Sequence, residues 1–223
     1  MTPKLLVFDL DGTLIDSSKD LCNSVNATLA HYRQPTLPEP VIASYIGDGV
    51  HALVRRSLAH SHPADPHDDA FIQAAVAWFV SYYKVHKLDF TYVYPGVLEA
   101  LTEIRSRHPA LPIAILTNKP VVPSRAICKH FGIDSFCFQI YGGNSFASKK
   151  PDPEGLRALI AEAKTEAFDT VLIGDSHVDV ETARAAGTRV LGCTFGLSPA
   201  TLAAARPDFS VDRASQWPAA LGL

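Results

Sequence analysis

The chain has 223 residues, of which 47% are hydrophobic and 19% are charged, and this balance is typical of a globular protein rather than a disordered one. Its 20 Lys and Arg against 23 Asp and Glu give a formal net charge of −3, which argues against general nucleic-acid binding. The four cysteines lie far apart and form no C-x-x-C pair, so free thiols in a reducing compartment are favoured over a disulfide or zinc framework.

The first element is a continuous apolar run from Leu5 to Phe8, which ends at Asp9-Leu10-Asp11-Gly12. A run without alternation is typical of a central parallel strand that is buried on both faces. The run is too short for the core of a signal peptide or for a membrane span. We therefore expect a cytoplasmic protein with no membrane partner.

The next part of the chain has the apolar spacing of helices and contains no convincing strand. Its three apolar helical faces lie within Leu21 to Leu29, Val50 to Leu58, and Phe71 to Tyr83. The stretch from His60 to Asp69 is rich in proline and histidine and is predicted to be a loop. We predict a helical cap subdomain at residues 17–92, inserted into an α/β core formed by residues 1–16 and 93–223.

Short apolar runs return after this segment and alternate with stretches of helical spacing. The runs are Ile113 to Leu116, Phe138 to Tyr141, Val171 to Ile173, Val190 to Leu191, and Phe209 to Val211. Strands that alternate with helices indicate an α/β fold with a doubly wound, Rossmann-like parallel sheet.

Four polar clusters follow predicted strands, and ligands of such sheets bind beyond the carboxyl ends of the strands. The clusters are Asp9 with Asp11, Thr117-Asn118, Lys149-Lys150-Pro151, and Gly174-Asp175-Ser176 with Asp179. We therefore expect these residues to meet at one edge of the sheet, although they are far apart in the sequence.

The first cluster favours a metal ion. Asp9 and Asp11 are two positions apart on extended backbone, so their carboxylates are expected to face one substrate. Carboxylates this close need a cation or a proton to coexist, and Asp175 adds a third. Oxygen ligands of this kind favour Mg²⁺. Gly12 permits a sharp turn whose backbone amides are expected to face an anion.

The other clusters offer what phosphoryl transfer requires, which is positioning and neutralisation of charge. Thr117 offers a hydroxyl and Asn118 an amide N–H. Lys150 is expected to balance the negative charge of the transferring group, and the proline that follows favours extended backbone at this lysine.

Together these segments resemble the four motifs of the haloacid-dehalogenase superfamily, in the order of that family. The motifs are Asp9-Leu10-Asp11-Gly12-Thr13-Leu14, Thr117-Asn118-Lys119-Pro120, Lys150-Pro151-x-Pro153, and Gly174-Asp175-Ser176-x-x-Asp179. The helical insert is similar to the cap of one branch. Within that branch, the segments Tyr45-Ile46-Gly47-Asp48-Gly49 and Leu53-Val54-Arg55-Arg56 look most like phosphoglycolate phosphatases.

The resemblance implies catalytic roles for five residues. Asp9 would be the nucleophile that forms an aspartyl-phosphate, and Asp11 would protonate the leaving alcohol and then activate water. Thr117, Asn118 and Lys150 would hold the phosphoryl oxygens.

The resemblance also implies the metal and substrate sites. Mg²⁺ would be held by Asp9, by the backbone carbonyl of Asp11 and by Asp175, with Asp179 as a ligand or beside the ion. An alternative role for Asp175 and Asp179 is to cap the following helix. The residues implied in substrate binding are Gly12, Thr13, Gly47, Gly49 and Arg56. The three in the insert also fit a turn and a solvated helix face.

The favoured function is the Mg²⁺-dependent hydrolysis of a small phosphorylated metabolite, with 2-phosphoglycolate first among candidate substrates. A sugar phosphomutase, a pyrophosphatase and a non-catalytic binding module on the same fold remain alternatives. The sequence does not give the oligomeric state.

Overall fold

A computed structural model describes residues 2–62 and 67–223. The chain forms two compact units, one made of Met1–Asp16 and Val93–Leu223 and the other of Ser17–Tyr92. Among the described residues, no helix combines the length and the apolar character needed to cross a membrane.

The strands lie mainly in the first unit. They are β1 (Leu5–Phe8), β2 (Ile15–Asp16), β3 (Tyr92–Val93), β4 (Ile113–Leu116), β5 (Gln139–Tyr141), β6 (Thr170–Gly174), β7 (Arg189–Cys193) and β8 (Phe209–Val211). Six of them form one sheet in the order β5-β4-β1-β6-β7-β8, and every neighbouring pair is parallel. The predicted doubly wound α/β fold is therefore confirmed.

The helices follow the strands in alternation after β3. They are α1 (Ser18–His31), α2 (Glu39–Ala43), α3 (Val50–Ser61), α4 (Asp69–His86), α5 (Val97–Arg107), α6 (Val121–His130), α7 (Glu154–Glu162), α8 (His177–Ala186), α9 (Pro199–Ala205) and α10 (Trp217–Leu221). Short 3₁₀ helices lie at Ile133–Phe136, Ala167–Asp169 and Ala214–Gln216.

The central strands are buried on both faces because helices cover both sides of the sheet. Leu5 and Val7 of β1 pack with residues of α7, α8 and α9 in one apolar cluster. On the opposite face, the rings of Phe8 and Trp217 lie 5.1 Å apart, which places α10 on that side. This double cover explains why β1 has no polar alternation in its sequence.

The strand order reverses at β1. The chain runs from β1 to β4 and β5 on one side, and then crosses to β6, β7 and β8 on the other. In sheets of this kind the crevice at such a reversal is where ligands bind, beyond the carboxyl ends of the strands. The topology therefore predicts a ligand-binding site at the carboxyl edge of the sheet near Phe8.

The second unit is helical and has its own core. Leu21, Val25 and Leu29 of α1 pack with Leu58 of α3 and Phe79 of α4 in a single apolar cluster. The buried Asp20 of α1 accepts hydrogen bonds from the backbone N–H groups of Phe90 and Thr91 and from the Thr91 hydroxyl.

Several bounds differ from the predicted ones. The strands β6 and β7 extend beyond their predicted apolar runs, and the short helix α2 was not predicted, because its prolines at positions 38 and 40 are typical of a loop. The predicted loop from His60 to Asp69 overlaps the ends of α3 and α4, and its residues 63–66 lie outside the described part of the chain.

Candidate active site

The ends of the three central strands lie at the same level. Phe8 of β1 pairs with Ile115 of β4 on one side and with Ile173 of β6 on the other. The backbone N–H of Asp9 donates a hydrogen bond to the Ile173 carbonyl at 2.8 Å. The residues that follow each strand therefore come together beyond this level, as the polar clusters in the sequence predict.

A buried lysine joins two of the predicted site carboxylates. The Lys150 ammonium lies 2.9 Å from Asp9 Oδ1 and 2.6 Å from Asp179 Oδ1. Burial alone would lower the pKa of Lys150, but the adjacent Asp179 and Asp9 together raise it above its ordinary value. Lys150 therefore remains positively charged, with its side chain only 2% exposed.

The Asp175 carboxylate is held by backbone N–H groups. Its Oδ2 accepts hydrogen bonds from the N–H groups of Leu197 at 2.7 Å and Ser198 at 3.2 Å. Gly12 has a φ of +85°, and a Cβ atom there would overlap the Asp175 carboxylate. A residue with a side chain at position 12 would therefore be both strained and excluded by contact.

Three buried carboxylates form a group that fits a divalent cation. One carboxylate oxygen from each of Asp9, Asp175 and Asp179 lies within 4.8 Å of the other two. Three carboxylates against the one ammonium of Lys150 leave two negative charges, which a divalent cation would neutralise. Burial, followed by the repulsion of neighbouring carboxylates, raises the pKa of Asp175 well above its ordinary value.

The pKa of Asp9 is raised to about 6, chiefly by burial, while Lys150 opposes the shift and Asp179 adds to it. Asp179 also caps α8, because its Oδ2 accepts hydrogen bonds from the backbone N–H and hydroxyl of Ser176. The predicted capping role of Asp179 is therefore observed, and this residue lies in the acidic group as well.

Asp11 faces a different lysine. Its two carboxylate oxygens lie 3.0 and 3.2 Å from the ammonium of Lys119, and the two side chains are only 13% and 4% exposed. No role for Lys119 was predicted, although this residue lies in the segment Thr117-Asn118-Lys119-Pro120. The contact between Lys119 and Asp11 could not be read from the sequence because 108 positions separate the two residues.

Thr117 and Asn118 are buried at the same edge of the sheet. The Asn118 side-chain amide donates a hydrogen bond to the Lys150 carbonyl at 2.9 Å, and it thereby joins two of the predicted clusters. The Thr117 hydroxyl accepts a hydrogen bond from the Lys119 N–H at 3.2 Å. Both side chains thus help to shape the loop that follows β4.

Thr13 is fully buried in the turn after β1, and its hydroxyl oxygen has no hydrogen-bond partner among the described residues. Gly47 and Gly49 lie in the second unit with φ angles of +120° and +85°, and Gly49 precedes the first residue of α3. The Arg56 guanidinium lies 2.5 Å from the Asp48 carboxylate, and its side chain is about half exposed. Substrate contacts by these residues stay a prediction.

Comparison with known proteins gives relatives over most of the chain. A phosphoglycolate phosphatase from Rhodospirillum rubrum is 37% identical over 198 residues, which are 88% of this chain and 81% of that protein. One from Neisseria meningitidis is 34% identical over 210 residues, which are 92% of this chain and 88% of that protein.

A crystal structure of a predicted phosphoglycolate phosphatase from Haemophilus somnus is similar to this fold. Its TM-score is 0.92 at 28% identity, and the match covers 99% of this chain and 98% of that one. The family model for haloacid dehalogenase-like hydrolases matches residues 6–193, which include all four polar clusters. The chain therefore belongs to the haloacid dehalogenase-like hydrolases and is, within them, similar to the phosphoric monoester hydrolases.

Proposed function

We propose that the chain hydrolyses a small phosphomonoester with the help of Mg²⁺, through an aspartyl-phosphate at Asp9. One observation carries the proposal. The Asp9 carboxylate lies 2.9 Å from a buried lysine ammonium and within 4.8 Å of two further buried carboxylates, and together the three carboxylates fit a divalent cation. This arrangement suits the approach of one anion, the carboxylate, to another, the phosphate ester.

In the first step, an oxygen of Asp9 attacks phosphorus, and the bond from phosphorus to the alcohol oxygen breaks. Asp11 gives its proton to that oxygen as the alcohol leaves. Lys150 remains charged and balances the negative charge of the phosphoryl group. A bound Mg²⁺ supplies the further positive charge that this site requires. Asp9 is left as an aspartyl-phosphate.

In the second step, Asp11 takes a proton from water as the water oxygen attacks phosphorus. The bond between phosphorus and Asp9 breaks, so the carboxylate is restored and inorganic phosphate is released. The sum of both steps is one ester and one water converted into one alcohol and one phosphate. Asp11 ends with the proton that it held at the start.

Thr117, Asn118 and the turn at Gly12 are proposed to contact the phosphoryl oxygens, since all three lie at the edge where the four clusters meet. Thr13, whose buried hydroxyl oxygen has no partner among the described residues, is included in this set. Hydrogen bonds to developing negative charge in a site of low dielectric contribute strongly to catalysis.

The proposed substrate is 2-phosphoglycolate, because the relatives described above are phosphoglycolate phosphatases. Residues 17–92 are proposed to act as the cap that selects it, with Gly47, Gly49 and Arg56 as contact residues. The four free cysteines are consistent with a cytoplasmic, reducing compartment.

The proposed chemistry is tested by hydrolysis of 2-phosphoglycolate with Mg²⁺, with EDTA and with Asp9→Asn. Loss of the nucleophile is expected to lower kcat by about 10³-fold or more, and EDTA is expected to abolish turnover. Asp134→Asn, at an exposed position in the same unit, is the matched control. Mass spectrometry of acid-quenched enzyme should find one phosphoryl group on the peptide that contains Asp9.

The substrate is tested with a panel of 2-phosphoglycolate, sugar phosphates, nucleotides and pyrophosphate. A dedicated enzyme is expected to prefer one substrate in kcat/KM by more than about tenfold. Equal rates across the panel would contradict the assignment of 2-phosphoglycolate as the dedicated substrate. Inactivity of the wild type with every compound would favour a binding module.

A further inference from the structure

We infer that Lys119 is a positioning residue, which fixes the direction of the Asp11 carboxylate for proton transfer. The inference rests on the proposed function, in which Asp11 moves the proton. Neither the sequence motifs nor the relatives assign Lys119 this role.

The contact between the two side chains is bidentate. The Lys119 ammonium lies at 3.0 Å from one carboxylate oxygen of Asp11 and at 3.2 Å from the other. A single ammonium in contact with both oxygens restricts the rotation of the carboxylate as well as its position. Both side chains are largely buried, so water screens the pair much less than it screens an ion pair on the surface.

The backbone of Lys119 is itself fixed. Its N–H donates to the Thr117 hydroxyl at 3.2 Å, and its carbonyl accepts from the N–H of Gly143 at 2.9 Å. The chain at Gly142 and Gly143 packs so closely on this loop that a Cβ atom at either position would overlap the backbone of residues 118–121. The side chain of Lys119 therefore extends from a firmly held backbone, and the positioning of a catalytic group requires such support.

Between them, the two buried lysines contact three of the four site carboxylates. Lys150 contacts Asp9 and Asp179, whereas Lys119 contacts Asp11. Asp11 is thereby turned toward a cation of its own, apart from the group that fits a metal ion. This division suits two tasks, because the nucleophile must meet phosphorus while the proton carrier must meet the leaving oxygen.

The test compares two esters of nearly the same shape, phenyl phosphate and p-nitrophenyl phosphate. Phenolate is the more basic leaving group and needs the proton from Asp11, whereas nitrophenolate leaves without it. The ratio kcat/KM reports the steps up to departure of the leaving group. It therefore separates proton donation from the later attack of water. The variants are Lys119→Met, Lys119→Arg and, as a matched control at an exposed position of α6, Lys129→Met.

We expect Lys119→Met to lower kcat/KM by about 30-fold for phenyl phosphate but only about threefold for p-nitrophenyl phosphate. Lys119→Arg, which keeps a bidentate cation, is expected to recover phenyl phosphate hydrolysis to within about fivefold of wild type. Lys129→Met should match wild type with both esters. The inhibition constant for inorganic phosphate should change little in any variant, because the proposed role of Lys119 is to hold Asp11 and not to bind phosphate.

Equal losses with both esters would overturn the inference, since a general disturbance of the site does not discriminate between leaving groups. A rise of about tenfold in the inhibition constant for phosphate would also overturn it, by showing that Lys119 binds the substrate. If Lys119→Met is unfolded by circular dichroism, Lys119→Arg decides alone, and losses well beyond fivefold that are equal for the two esters there count against the role. Failure of the proposed function differs from all of these, because wild type and Asp9→Asn would then be equally inactive.

Discussion

Asp9 is a buried carboxyl whose pKa is raised to about 6, mainly by desolvation, with Lys150 opposing and Asp179 reinforcing the shift. Asp175 is shifted in the same direction for the same leading reason. A divalent cation at this site would therefore compete with protons for the same oxygens, and protonation would prevail as the pH falls below the raised pKa values.

We therefore predict that Mg²⁺ binds more weakly as the pH falls through the raised pKa of Asp9. The apparent affinity should decline by up to about tenfold per pH unit for each proton that must be displaced. Isothermal titration calorimetry of EDTA-stripped protein at several pH values measures this change. Asp9→Asn should weaken both the binding and its dependence on pH, whereas an affinity that is independent of pH would contradict the assignment.

Lys150 is the second residue whose role can be measured by itself. Its removal leaves two buried carboxylates without their cation, and we predict that Lys150→Met lowers the free energy of unfolding by about 3 kcal/mol. The adjacent exposed Lys149 supplies a matched control, and Lys149→Met should change stability by less than about 0.5 kcal/mol. Urea unfolding in EDTA measures both. Equal effects of the two substitutions would contradict the buried-charge argument.

At the scale of elements, the start of α1 and the segment before β3 are joined by one side chain. Asp20 accepts hydrogen bonds from the backbone of Phe90 and Thr91, which are 70 and 71 positions away. These bonds satisfy N–H groups at the end of the second unit, where the chain no longer belongs to a helix.

Asp20→Asn should therefore destabilise the protein by about 2 kcal/mol, because an amide N–H₂ would replace an acceptor that faces several donors. The comparison is Asp89→Asn, which alters an exposed carboxylate paired with His86 and should cost less than about 0.5 kcal/mol. Thermal unfolding of the two variants gives the difference. A cost at Asp20 no larger than that at Asp89 would show that these bonds contribute little.

Elements that are apolar throughout were predicted well, and elements defined by distant partners were not. The runs at Leu5 to Phe8 and Ile113 to Leu116 match β1 and β4 because burial on the sheet directly determines their composition. The contact of Lys119 was not predicted because its partner, Asp11, lies 108 positions away in the sequence. The hydrogen bonds of Asp20 were not predicted for the same reason, because hydrophobic periodicity describes only neighbours along the chain.

At the scale of the whole molecule, each of the two units has an apolar cluster of its own among the described residues. The apolar cluster of the second unit consists wholly of residues between positions 21 and 83. The cluster around β1 draws on β4, β6, β7 and helices α7 to α9. Regions with separate cores open with separate free energies, which native-state hydrogen exchange detects.

Leu58→Ala is predicted to accelerate hydrogen exchange in residues 17–92 much more than in the sheet. Leu58 is 1% exposed in the core of the second unit, and its truncation should cost about 2–5 kcal/mol there. Leu172→Ala, at a fully buried position of β6, is the reciprocal variant. Mass spectrometry of peptides resolves the two regions. Equal acceleration in both regions by Leu58→Ala would show that they open as one cooperative unit.

The doubly wound topology also bears on when the protein becomes active during its synthesis. The residues that meet at the carboxyl edge of the sheet come from segments spread from Asp9 to Ser198. A nascent chain that ends before Asp175 holds the proposed nucleophile but lacks two carboxylates of the acidic group, those of Asp175 and Asp179, and the loop that supports Asp175. Under the proposed function, hydrolysis would therefore begin only after Ser198 has left the ribosome, so phosphatase activity would report a fully assembled carboxyl edge rather than any earlier folding intermediate.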